Sequence, residues 1–91
     1  MTTKTSSWTY GDVTEFLAEN DFSFSEAFDG SHESWVKLAR NGEPETFVEI
    51  PFRHGFYSQK EFGKMIHQSG IPEKVWMERV PSDASSQINS A

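Results

Sequence analysis

No cysteine occurs among the 91 residues. That excludes a disulfide scaffold, a thiolate metal site and a cysteine nucleophile, and it fits a reducing compartment. Any uninterrupted apolar run of membrane-spanning length is also missing. The opening residues are rich in Thr and Ser and lack the apolar stretch of a signal peptide, so a cytoplasmic protein with no membrane association is expected. No Gly-rich phosphate loop and no Ser-His-Asp signature is visible. The three histidines, His32, His54 and His67, stand 22 and 13 positions apart, without the short spacing of a metal-ligand pair. No metal site is therefore expected. Cations are scarce as well: eight Lys and Arg against 14 Asp and Glu give a net charge of -6, which argues against a generic, basic nucleic-acid binder.

Aromatic residues are plentiful. Eight Phe and three Trp supply large areas for burial, so a chain of this length can build one small core. The charge is unevenly spread. Residues 11–50 carry Lys37 and Arg40 against ten acidic residues, a balance of -8, whereas residues 51–67 carry Arg53, Lys60 and Lys64 against Glu61 alone. Such asymmetry marks a candidate partner-binding face, although a solvated helix with ordinary lysines reads the same way.

The pattern predicts the order α-β-β-β-α. A first helix is expected from Asp12, as N-cap with Glu15 three residues on, through Val13, Phe16 and Leu17 to a stop at Asn20-Asp21. A first strand over 22–28 places Phe22, Phe24 and Phe28 at period two, which predicts one buried face. Asp29-Gly30 is a turn signal, and a second strand follows over 32–39. The loop around Asn41-Gly42 leads to a third strand, Thr46–Ile50, ended by Pro51. Residues 52–57 read as an irregular loop. Ser58 and Glu61 form a capping-box pattern for a second helix, with Phe62, Met65, Ile66 and Ser69 inward and Gly70 and Pro72 as its stop. These elements predict an α+β domain in which two helices cover one face of a three-stranded antiparallel sheet. Residues 1–9 are expected to be disordered, 10–71 to form the domain, and 72–91 to be an extension that adds at most a helical turn and is disordered after 80.

Gly30-Ser31-His32 organises the functional reading. The glycine permits a tight backbone approach, and the histidine at a strand start offers an imidazole for proton transfer near neutral pH. A histidine in such a place is also a common packing residue. Arg53, Lys60 and Lys64 are candidate phosphate contacts, with Arg53 favoured for its planar fork. His54 is a candidate second acid or base, provided its loop lies beside the start of the second strand. Tyr57 or Phe56 offers a ring for stacking on an unpaired base, with simple packing as the plainer role.

Three segments in this order resemble the HicA-type (YcfA-like) toxin family: Gly30-Ser31-His32 entering a strand, Ile50-Pro51-Phe52-Arg53-His54, and Ile66-His67-Gln68-Ser69-Gly70-Ile71. The first helix followed by Asn20-Asp21-Phe22 is similar too, and the likeness spans residues 10–71. The resemblance implies a fold like the double-stranded-RNA-binding domain. It also implies a type II toxin that cleaves mRNA without a metal or other cofactor, His32 as catalytic residue, and a HicB-type antitoxin as partner. Two features differ from typical members. The chain is acidic, and Gly55-Phe56-Tyr57-Ser58-Gln59 stands where those members carry a Lys-rich loop. With so few cations, RNA affinity is expected to be weak and salt-sensitive. The alternative function is a non-catalytic RNA- or protein-binding module on the same fold.

Overall fold

The computed structural model describes residues 5–79. The disorder expected before residue 5 and after residue 80 lies outside that range. The elements are β1 (Thr5–Thr9), α1 (Tyr10–Glu19), β2 (Ser23–Phe28), β3 (His32–Lys37), β4 (Thr46–Pro51), β5 (Phe56–Ser58), α2 (Gln59–Ser69) and α3 (Glu73–Glu78). Strands β2, β3 and β4 form the expected antiparallel meander, and the helices pack on it, so the α-β-β-β-α arrangement holds.

Two elements extend that plan. Residues 5–9, expected to be disordered, form a strand that pairs antiparallel with β5, itself part of the expected loop. The Ser6 hydroxyl stitches the two strands together by donating to the Tyr57 carbonyl at 2.9 Å, and its oxygen accepts from the Trp8 N–H at 3.2 Å. Trp8 is what orders the segment. It is buried, stacks on Phe62 at 5.1 Å between ring centroids, and meets Phe16 and Trp76 edge-on at 5.7 and 5.5 Å. Trp76 is carried by α3, the helical turn expected in the extension, and its indole N–H donates to the buried Ser69 hydroxyl oxygen at 3.3 Å.

The helix starts follow the capping logic, with one shift of register. At α1 the N-cap is Thr9 rather than Asp12. Asp12 sits at the third helical position, and its carboxylate accepts from the Thr9 N–H while its own N–H donates to the Thr9 hydroxyl. The shift arises because β1 delivers Thr9 in extended conformation, as an N-cap requires. At α2, Ser58 and Glu61 form the box as expected, and Gly70 closes the helix with φ 72°, a left-handed cap.

Strand β2 departs from its expected burial. Phe22 is buried, but Phe24 and Phe28 are 52% and 37% exposed. A bulge between Phe24 and Glu26 inserts one residue, so Phe24 pairs with Trp35 and Phe28 with His32. Trp35 and His32 are three positions apart on one strand, so the two rings emerge on opposite faces. The core instead gathers at the β4 side of the sheet. Val48 and Ile50 are fully buried beneath Val13, Phe16 and Leu17 of α1 and Phe62 and Met65 of α2. The outer edge of β4 is closed by a side chain, for the Glu49 N–H donates to the Gln68 amide oxygen at 2.8 Å. Among the described residues no helix is long and apolar enough to cross a membrane.

Because Trp8 joins β1, α1, α2 and α3, truncating it opens a cavity at their junction. Trp8→Ala is expected to lower stability by about 3–5 kcal/mol in urea unfolding. A loss below about 1 kcal/mol, the size of an ordinary surface change, would show that the segment is not integral to the fold.

Candidate functional site

The β2–β3 hairpin turns through Asp29 and Gly30, both left-handed at φ 50° and 73°. Among the described residues other than its chain neighbours, no atom lies within 4 Å of where a Gly30 Cβ would stand. The glycine is thus required by its backbone angle and not by a close approach. This turn folds Asp29 back over the strand start. Its Oδ1 accepts from the Ser31 N–H at 3.1 Å and the Ser31 hydroxyl at 2.8 Å, and lies 3.3 Å from His32 Nδ1. The Ser31 oxygen is 3.0 Å from the same ring nitrogen. Phe28, directly across the ladder, stacks on the imidazole at 5.8 Å and 17°. The Asp29 carboxyl is held below its usual range, chiefly by the Ser31 hydroxyl, then by the Ser31 N–H and His32. Nε2 of His32 makes no hydrogen bond among the described residues.

His32 lines an open cleft of about 520 Å³ between the outer face of the sheet and α2. Lys60 and Lys64, one helical turn apart and so on one face of α2, share it with Glu49, Pro51, Glu61 and Met65. Strand β4 places Pro51 opposite His32, and Glu49 and Pro51 point outward while Val48 and Ile50 between and beside them point into the core. Glu61 is held by other groups. It closes the α2 cap through the Ser58 N–H at 3.0 Å and accepts two bonds from Arg53 Nε at 2.8 and 2.9 Å, and Arg53 Nη2 also pairs with it. The Arg53 hydrogen bonds are the main cause that holds the Glu61 carboxyl below its ordinary range.

The structure therefore brings together His32, Lys60 and Lys64 of the expected site residues. Arg53 does not line the cleft; its guanidinium is engaged by Glu61, which does. His54 does not line the cleft. Its loop begins beside β3, since the Phe52 N–H donates to the Ser31 carbonyl at 2.8 Å, but Phe52 then rests on Tyr10 of α1 and the His54 ring meets Phe52 edge-on. Tyr57 is excluded as a stacking platform. It has no exposed surface, lies in the core, and its hydroxyl donates to the Pro51 carbonyl at 2.6 Å. Burial, above all, pushes its pKa up, so the hydroxyl stays a donor. Three participants were not identified from sequence: Asp29, Glu49 and Glu61. Asp29 was visible only as a turn residue, and Glu61 only as a helix cap. Among the described residues no three His, Cys, Asp or Glu side chains are grouped to hold one metal ion.

Tyr57→Phe separates packing from function at this position. It removes one buried hydrogen bond and should cost about 1 kcal/mol in urea unfolding while leaving any RNA cleavage unchanged. Loss of RNA binding at unchanged stability would return Tyr57 to the site. No protein-family model, no curated protein and no solved structure matches this chain, so the HicA resemblance rests on the quoted sequence segments alone.

Proposed function

We propose that this chain is a metal-independent endoribonuclease that cleaves mRNA, the toxin of a type II toxin–antitoxin pair. The observation that carries the reading is the cleft shared by His32, Lys60 and Lys64. Proton transfer and phosphate binding need those two kinds of group side by side. RNA supplies its own nucleophile. The 2′-oxygen forms a bond to the adjacent phosphorus as its proton passes to His32 Nε2, and the bond from phosphorus to the 5′-oxygen breaks. The departing 5′-oxygen takes a proton from an ammonium group of the cleft or from water, and the product strand ends in a 2′,3′-cyclic phosphate. Lys60 and Lys64 hold the phosphate oxygens and offset the charge that builds on them. Arg53 contributes once its guanidinium is shared between Glu61 and the RNA backbone.

The electrostatics set the strength of this interaction. With Glu61 neutralised by Arg53, the cleft retains two cations against Glu49. Affinity that depends on two or three phosphate contacts is modest and falls steeply with salt. The acidic remainder of the chain slows encounter further.

A second reading is a non-catalytic protein-binding module, favoured by the outer face of the sheet. Phe28, His32 and Pro51 form one row across it, and Ser23, Val36 and Phe47 another. Between them lies a row of Glu26, Ser34 and Glu49, and neither glutamate has an ion-pair partner among the described residues. A protein presenting a cation between two apolar groups fits that surface, and an antitoxin of the HicB kind is the partner we propose for it.

His32→Ala decides between the two. Cleavage of a long single-stranded RNA in low salt with EDTA should disappear in the variant while its fold, read by circular dichroism, persists. Lys60→Gln with Lys64→Gln should raise KM and flatten the salt dependence of binding by about two charges. Cleavage undiminished in His32→Ala would overturn His32 as the catalytic residue, and a folded wild type that cleaves no RNA but captures a partner would establish the module.

A further inference from the structure

We propose that Asp29, acting with Ser31, is a positioning residue that holds neutral His32 as the Nδ1–H tautomer and so makes Nε2 the nitrogen that takes the substrate proton. The catalytic part of this inference rests on the ribonuclease reading above, and the tautomer itself does not.

The hydrogen-bond geometry leaves one consistent assignment. The Ser31 hydroxyl lies 2.8 Å from Asp29 Oδ1, and an ionised carboxylate only accepts, so the hydroxyl hydrogen points to Asp29. With that hydrogen committed, the Ser31 oxygen 3.0 Å from His32 Nδ1 can act there only as an acceptor. Asp29 Oδ1, 3.3 Å from the same nitrogen, is an acceptor too. Both neighbours of Nδ1 therefore call for a hydrogen on it. In the neutral ring Nε2 then carries the lone pair, on the side away from the hairpin turn. Phe28 stacked on the ring restricts its rotation, and the left-handed pair Asp29-Gly30 fixes the carboxylate against it.

The other charged groups around the imidazole are Glu49 from β4 and Lys60, Glu61 and Lys64 from α2, all lining the cleft and none bonded to Nδ1. Asp29 is thus the one carboxylate among the described residues that touches the ring. Its role differs from that of the cleft lysines. They meet the substrate, whereas Asp29 acts through His32.

The test is a pair of measurements on the full chain, wild type and Asp29→Gly. Glycine accepts the left-handed angle at that position, so the variant removes the carboxylate and spares the turn. Long-range proton–nitrogen NMR at about pH 9, where imidazoles are neutral, reads the tautomer directly and needs no RNA. The wild type should show His32 protonated at Nδ1, and Asp29→Gly should shift towards protonation at Nε2 with the amide spectrum otherwise preserved. In the cleavage assay kcat should fall about tenfold in the variant with KM nearly unchanged, because phosphate contacts are untouched. Nε2 protonation in the wild type, or one and the same tautomer in both proteins, overturns the proposal. A shifted tautomer with unchanged kcat overturns its catalytic part. If the wild type cleaves no RNA at all, the ribonuclease reading fails and the tautomer assignment still stands or falls on the NMR result.

Discussion

Four aromatic rings from four elements hold this small protein together. Trp8 of β1, Phe16 of α1, Phe62 of α2 and Trp76 of α3 form one cluster, with Phe16 and Trp76 as close as 4.1 Å between centroids. Offset and edge-on contacts of this kind add to the area that the rings remove from water. Val13, Leu17, Val48, Ile50 and Met65 complete the buried core with Phe22 and Tyr57, and a chain of this size has little burial to spare. The polar edges of the cluster are satisfied as well, since Ser69 receives the Trp76 indole and closes its own helix end through the Ile66 carbonyl at 2.7 Å. Outside the cluster, Arg79 ties the end of α3 to Glu15 and Glu19 of α1.

The site depends on that core through β4. Alternate residues of this strand serve two surfaces: Val48 and Ile50 anchor it under the helices, and Glu49 and Pro51 form the floor of the cleft. Helix α2 does the same with its own period, sending Phe62 and Met65 inward and Lys60 and Lys64 outward beside the sheet. The separation between His32 and the lysines is therefore set by a packed strand and a capped helix, not by flexible loops. Glu61 links helix and cleft, since it caps α2 through the Ser58 N–H and engages Arg53.

Much of this plan can be read from local sequence because its signals are local. Asn41-Gly42 and Asp29-Gly30 adopt the left-handed turns their residues favour, with φ 52° and 82° at the first pair. Ser58, Glu61 and Gly70 mark the ends of α2 at their own positions. The failures share a different cause. Strand β1 pairs with a strand about 50 positions away, and its Thr and Ser residues carry no alternation that a window of sequence would reveal. The phenylalanine period in β2 is real, but a single inserted residue reverses its second half. Tyr57 stands among loop-like residues and is drawn into the core by β1, so its surroundings are settled at long range. In the site, His32 and the two lysines follow from residue type, whereas the carboxylate of Asp29 acquires its role only when the turn brings it onto the ring.

Strand β2 gives the site an uneven foundation. None of its six residues is buried, and among the described residues β3 is the one strand it pairs with. Parts of a fold with few buried contacts open at a free-energy cost well below that of global unfolding. By that measure β2, which carries Phe28, is the least anchored side of the site, whereas Lys60 and Lys64 stand on a helix whose inner face is packed into the core.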